Sequence, residues 1–324
     1  MASSFPSNET ATVESIASRC GMDAEDARRI LNHALTKRIF SEPSKGVIAH
    51  SAASQAIANI PLLAEFIDDA CERVLYIGTR IPQAMAKWPG SQELNETAFN
   101  LTYETDLPFF PYLSQHPSLT KQFADSMSFF QKGPGMQTEL AVKIYDWTTV
   151  STGTVVDIGG SHGSVARALS DRFPAMKCIV QDLPAVINSI PEQDVQTQVL
   201  FQSHDFFTEQ PVKGADVYFL RLILHNWPDK YCVKILQNLI PALKPGARVV
   251  IMDQIIPEPG VLPPYQDRAV RSFDLIMKGL FNSKERSLSA WRELFLSADP
   301  RYIITNVMKR EDSRLQIMEI QWEV

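Results

Sequence analysis

Apolar residues recur along this chain in three successive patterns. Up to about residue 60 the spacing is first helical and then strand-like. Thr12-Val13-Glu14-Ser15-Ile16-Ala17 predicts a short helix with a hydroxyl placed to cap it. Gly21 ends that helix, and Asp23 opens a second in which Ala27, Ile30, Leu31, Ala34 and Leu35 recur at helical spacing. Residues 40–49 then read as two short strands around a turn rich in Pro, Ser and Gly. From 61 to 148 the pattern is mostly helical, with helical spacing over 62–77 and 119–130 and an aromatic-rich loop or helix entry at 106–113. From 149 onward, β-like runs at 154–158, 177–181, 215–220 and 248–253 alternate with helical runs at 164–172 and 230–243. This alternation predicts an α/β fold of Rossmann-like type, a doubly wound and mostly parallel sheet with right-handed crossovers. The expected organisation is a winged-helix outline over 1–60, a helical linker and pocket region over 61–148, and a Rossmann-like domain over 149–324.

Composition narrows the function classes. At 324 residues, 45% hydrophobic and 21% charged, the chain suits an ordinary globular protein with one large and one smaller core. No apolar run approaches the roughly 20 residues that cross a bilayer, and the start lacks the pattern of a secretory signal. Membrane partners are therefore not expected, and the cytosol is the expected location. The four cysteines, Cys20, Cys71, Cys178 and Cys232, form no CxxC pair and suggest free thiols and no metal site. A net charge of −6 argues against nucleic acid. The second N-terminal helix does carry Arg28, Arg29, Lys37 and Arg38, but Asp23, Glu25 and Asp26 share it, which favours packing or dimerisation over DNA binding.

The main chemical signal is Asp157-Ile158-Gly159-Gly160-Ser161-His162-Gly163 between an expected strand and helix. Gly159, Gly160 and Gly163 suit a tight turn with close backbone approach to a ligand beyond the strand ends. Asp182 ends the next strand, where a carboxylate can accept both hydroxyls of a ribose. A dinucleotide fingerprint would read GxGxxG; this loop reads DxGGxxG, and its acid suits an ammonium and a sulfonium better than phosphates. The residues thus point to a nucleoside-type cofactor, with a nicotinamide dinucleotide as the weaker alternative. Asp205 followed by Phe206 suits an adenine, the acid taking the exocyclic amine and the ring packing on the base. The same pair also reads as a turn cap beside a core aromatic.

His225 follows the strand at 215–220, near the carboxyl edge of the sheet. Histidine is the natural base for a phenol or enol near neutral pH. Asp253 and Glu285 are the acids that can orient it. A lone histidine beside apolar residues is also commonly structural, Asp253 also reads as a strand-end turn residue, and Glu285 as a helix cap or surface acid.

The ordered set VVDIGGSHG, VQDLP, HDFF, LRLILHNWPD, LKPGARVVIMD and NSKERS resembles the fungal and plant-type small-molecule O-methyltransferases that use S-adenosylmethionine. The similarity spans nearly the whole chain, and AHSAAS, KWP and NETAF are similar to the fungal branch. The resemblance implies that the loop around Gly159 holds the methionyl part, Asp182 the ribose, and Asp205 with Phe206 the adenine. It implies a basic cofactor contact at Arg221, a catalytic base at His225, and acids that hold the base at Asp253 and Glu285. It further implies a homodimer formed through the winged-helix region, and methyl transfer by direct displacement. Asn226 stands where Asp is more usual in the family, and the chain begins almost directly in the winged helix where relatives carry more N-terminal helix.

Two other readings stand beside this one. Some fungal proteins similar to the family are pericyclases or dehydratases that use the same pocket without methyl transfer; retention of His225 and both acids favours the methyltransferase. A winged-helix regulator is the reading from another class, disfavoured by the acidic charge. Phe109, Phe110, Met127, Phe130, Met277 and Phe281 suggest an apolar, ring-containing substrate such as a hydroxylated aromatic or polyketide-like molecule, although each also suits a core.

Overall fold

A computed structural model of the chain describes residues 1–191 and 198–323. The chain divides into two compact units: Met1–Arg73 with Ser118–Phe130, and Val74–Pro117 with Gln131–Val324.

In the first unit a three-stranded antiparallel sheet is ordered β1 (Thr10–Thr12), β3 (Val47–His50), β2 (Phe40–Ser44). Two helices, Val13–Cys20 and Ala24–Thr36, run between β1 and β2. The caps are those expected from the sequence. Thr12 Oγ1 accepts from Ser15 N at 3.2 Å, Gly21 closes the first helix at φ +64°, and Asp23 Oδ1 accepts from Glu25 N at 2.8 Å. The apolar stripes of both helices meet the sheet in a core of Ile16, Ala27, Leu31, Phe40 and Ile48. Leu63–Asp69 follows as a helix in the same unit, and Asp69 is ion-paired to Arg73 one turn on, both buried.

The second unit holds a seven-stranded sheet. Its strands are β4 (Thr154–Ile158), β5 (Lys177–Asp182), β6 (Val199–Ser203), β7 (Val217–Arg221), β8 (Arg248–Asp253), β9 (Tyr302–Met308) and β10 (Gln316–Trp322), in the order β6-β5-β4-β7-β8-β10-β9. The first five are parallel and the last two antiparallel. This is the doubly wound α/β architecture that the strand–helix alternation predicts. The central strands are continuous apolar runs because helices cover both faces. Their core includes Val156, Tyr218, Leu220, Leu236, Val249, Ile251, Trp291 and Phe295, all nearly inaccessible.

The structure shifts some expected boundaries. β7 runs to Arg221 rather than stopping at 220, so the arginine is the last strand residue. The helix expected over 230–243 is Asp229–Leu239, and a separate 3₁₀ turn, Ile240–Ala242, holds Pro241 near its start. β6, β9 and β10 were not among the expected strands; β9 is an edge strand with mostly exposed side chains and gives no buried-strand signal. Strand order reverses at β4, whose neighbours β5 and β7 lead in opposite directions. The crevice beyond the carboxyl ends of β4 and β7 is where a doubly wound sheet binds its ligand.

Candidate active site

The glycine loop leaves β4 at that switch point. Gly159 N and Gly160 N both donate to the Gln181 carbonyl of β5, at 2.7 and 3.2 Å, so the loop is folded back on the neighbouring strand. Gly159 (φ +70°) and Gly163 (φ +74°) adopt the left-handed conformation. A Cβ at Gly160 would lie 2.6 Å from the Asp157 carboxylate, and one at Gly159 would lie 2.4 Å from Ile223 Cδ1. The loop therefore needs hydrogen at both positions, for contact with the chain itself before any ligand is considered.

Of the expected cofactor residues, Asp157, Asp182, Phe206 and Arg221 lie around this loop. Asp157 is buried, and its Oδ2 has no hydrogen-bond partner. Burial pushes its carboxyl up to about 7, opposed by the charge of Arg221 and aided by that of Asp182. Asp182 ends β5, its Oδ1 accepting from Leu183 N at 2.8 Å and its Oδ2 from Ser161 N at 2.9 Å. Two backbone donors thus fix the plane of that carboxylate and leave its remaining lone pairs for a ligand. Burial raises its pKa, and the same two hydrogen bonds oppose the rise. Asp205 is exposed and caps its own turn, Oδ1 accepting from Phe207 N at 2.9 Å. Phe206 is half-buried, with its ring edge 3.9 Å from the Cβ position of Gly159, which brings this aromatic to the glycine loop. Arg221 donates through Nη2 to the Met136 carbonyl, while its buried Nε has no partner. An orphaned carboxylate oxygen, an orphaned guanidinium nitrogen and a glycine cradle fit a ligand with an amino-acid end and a nucleoside end.

The histidine is carried by the loop after β7. Leu222 takes a left-handed conformation (φ +56°), and Leu224–Asn226 forms a single 3₁₀ turn that carries His225. The imidazole is 6% exposed, and its Nδ1 lies 2.8 Å from Glu285 Oε1 and 4.0 Å from Asp253 Oδ1. Both acids are buried, which sets aside Glu285 as a surface acid; Asp253 does end β8 and accepts from Gln254 N at 3.0 Å, as a strand-end turn residue would, while also facing the imidazole. Burial works to lower the histidine pKa, but the charges of Asp253 and Glu285 outweigh it, and the pKa is raised. Burial pushes the Asp253 carboxyl up to about 6, opposed by His225 and aided by Glu285. A carboxylate on Nδ1 places the ring proton there and leaves Nε2 as the acceptor. His225, Asp253 and Glu285 also form, among the described residues, a group whose atoms lie within 4.8 Å of one another and are of metal-ligating type.

Several residues of this centre carried no assigned role in the sequence reading. Phe273 stacks on the His225 ring at 6.0 Å. Asp274 Oδ1 accepts from Glu285 N at 2.7 Å. Ile223 fills the space beneath Gly159, which places the base loop in contact with the cofactor loop. Asn226, at the position where the family more usually has Asp, donates to the Leu222 carbonyl at 3.2 Å and so braces the left-handed residue, which a carboxylate could not do. Such contacts have no local signature in the chain. Of the apolar pocket candidates, Phe109, Met277 and Phe281 are core residues, and Phe110 is half-buried against Phe281 at 5.5 Å and Trp227 at 6.2 Å. Met127 and Phe130 belong to the first unit.

Comparison with known proteins shows the family. A family model described as an O-methyltransferase domain matches residues 87–299. O-methyltransferase kk1A of Curvularia clavata is 38% identical over 324 residues, covering all of this chain and 76% of its own. The chlorophenol O-methyltransferase of Trichoderma longibrachiatum is 40% identical over 317 residues, covering 95% of this chain and 68% of its own. Among solved structures, LepI in complex with SAM superposes with a TM-score of 0.83, and a pericyclic reaction enzyme with 0.81. Each is 25% identical and covers 99% of this chain and 82% of the other. On the family match and on identity over the whole chain to fungal enzymes, this chain belongs to the O-methyltransferase family.

Proposed function

We propose that this enzyme methylates a phenolic or enolic hydroxyl of a small, ring-containing secondary metabolite, with His225 as general base. The observation that carries this reading is the buried 2.8 Å contact between His225 Nδ1 and Glu285, on the loop that follows β7, the strand beside β4 and its glycine loop. The cofactor is S-adenosylmethionine, which the family uses, and the carboxylates of Asp157 and Asp182 at the ends of β4 and β5 suit its ammonium and ribose.

Asp157, with the backbone of Gly159 and Gly160, would hold the amino-acid end, Arg221 its carboxylate side, Asp182 the ribose, and Asp205 with Phe206 the adenine. When bound, S-adenosylmethionine supplies a methyl group made electrophilic by the adjoining sulfonium. The protein's own contribution is alignment and deprotonation. His225 Nε2 takes the hydroxyl proton, and Glu285, with Asp253 beside it, stabilises the imidazolium that results. The first unit, with its helix pair and β hairpin, would serve dimerisation.

The test is incubation with methyl-labelled S-adenosylmethionine and a panel of hydroxylated aromatic and polyketide-like compounds, followed by chromatography with mass detection. A labelled product with matching S-adenosylhomocysteine is expected, and His225→Ala should reduce the rate by about 10²–10⁴-fold. A new product of unchanged or dehydrated mass without S-adenosylhomocysteine would instead support the pericyclic reading.

A further inference from the structure

We propose that Arg286 is the positioning residue of the base loop, fixing where the imidazole of His225 stands by holding the backbone on both sides of it. A single 3₁₀ turn has few internal hydrogen bonds, and its buried carbonyls must find donors elsewhere. Arg286 supplies the charged ones: Nη1 donates to the Leu224 carbonyl at 3.0 Å and Nη2 to the Trp227 carbonyl at 2.9 Å, the weakly donating Cys232 thiol lying 3.2 Å from each of the same two carbonyls. Ser283 Oγ, three residues earlier, lies 2.5 Å from the His225 carbonyl and 2.9 Å from that of Trp227, its one proton serving the two acceptors between them. Every carbonyl from Leu224 to Trp227 except that of Asn226 is thus gripped by the segment 283–286.

The guanidinium is itself locked. Its side chain is fully buried, Asp229 Oδ1 accepts from Nε at 3.0 Å and from Nη2 at 2.8 Å, and the Trp291 ring lies 5.2 Å away. Its backbone bridges to Ile255, two residues past Asp253, and its carbonyl accepts from Ile256 N at 3.0 Å. Consecutive residues therefore hold one histidine in two ways, Glu285 by the ring and Arg286 by the main chain. A planar fork reaches carbonyls on both flanks at once; a lysine ammonium acts from a single point.

The catalytic part of this inference rests on His225 being the base, so the test reads position separately from rate. The downfield proton resonance of the Nδ1–H shared with Glu285 is assigned by its loss in His225→Ala. In Arg286→Lys that resonance should shift or broaden, and kcat should fall by about 100-fold, as expected for a base displaced by about an ångström. The KM for S-adenosylmethionine should stay within about threefold. Ile320→Ala, a core truncation in β10, should lower the melting temperature with both readouts unchanged. An unmoved resonance with kcat within about twofold of the parent overturns the proposal. If His225→Ala keeps its activity, the base reading fails and the resonance alone decides the positioning claim. Should Arg286→Lys fail to fold, Asp229→Asn and Ser283→Ala each remove one tether. A moved resonance and a roughly five- to twentyfold loss in kcat support the proposal, and parental behaviour in both overturns it.

Discussion

Asp157, near the end of β4, and His225, on the loop that follows the adjacent parallel strand β7, are both buried, and burial has opposite consequences for them. Asp157 has a buried oxygen without a partner, and its folded-state pKa of about 7 lies above the ordinary value near 3.9. For an acid whose folded pKa is raised, the folded state holds the extra proton. Stability from that proton is present below the unfolded pKa and is lost as pH rises through about 7. Asp157→Asn removes this cost, so its melting temperature should exceed that of the parent by several degrees at pH 8.5 and by little at pH 4. The same variant should bind S-adenosylmethionine about 10–100-fold more weakly by calorimetry, since a charge-assisted contact is lost. Equal stability at both pH values would remove the account of Asp157 as a carboxylate kept under strain for its ligand. For His225 the sign is reversed in its consequence. Its pKa is raised by Asp253 and Glu285, and a base must be neutral, so the rate should climb with pH above the ordinary histidine range. Glu285→Gln removes one of those charges while keeping an acceptor for Nδ1. The acidic limb of the kcat profile should move to lower pH, with kcat down about tenfold.

At the scale of elements, two loops emerging from neighbouring strands act as one piece. The glycine loop after β4 and the base loop after β7 touch through Gly159 and Ile223, whose Cδ1 would meet an added Cβ at 2.4 Å. The left-handed φ of Gly159 adds a second constraint, costing roughly 1–2 kcal/mol for an L side chain. Gly159→Ala should therefore impair both cofactor binding and the chemical step. Raised Kd for S-adenosylmethionine together with kcat lowered by about tenfold at saturating cofactor is the expected outcome. A change in Kd alone would show the two loops to be independent. Asn226 belongs to the same argument, since its amide braces Leu222 at the entry to the base loop. The NSKERS segment was recognisable as a motif, but its parts divide by structure: Glu285 touches the ring, Ser283 and Arg286 hold the backbone, and Asn282 ties the Glu93 and Glu96 carbonyls at 2.8 and 3.1 Å.

On the scale of the whole molecule, no helix among the described residues is long and apolar enough to cross a membrane. Large apolar side chains are nonetheless exposed on the second unit, including Leu75 and Tyr76 on one helix and Tyr265 and Leu275 on another. In the first unit, Arg28 of the helix Ala24–Thr36 is paired to Glu14 at 2.6 Å, so part of its basic character is already neutralised. Part of the basic charge that a DNA contact needs is thus already paired, and the association between copies proposed above has a direct test. Light scattering at micromolar concentration should give twice the 36.4 kDa chain mass. A monomer at that concentration, or a salt-dependent shift of duplex DNA, would count against the dimer reading.

The sequence alone determined the fold class, the glycine loop with its flanking acids, and the family. Each is written locally: buried parallel strands are continuous apolar runs, and a left-handed turn close to its own aspartate leaves a fixed spacing of glycines. The edge strand β9 and the reach of β7 to Arg221 were not legible, because exposed strand residues and boundary residues carry weak patterns. Tertiary structure decided which acids meet the histidine and which residues contact its loop. His225 and Glu285 are 60 positions apart, and Arg286 reaches Leu224 across 62. Before folding, Asp253 and Glu285 are acids with several possible roles. Packing of β7 beside β8, and of the 283–286 segment over the turn between them, buries both acids against one imidazole.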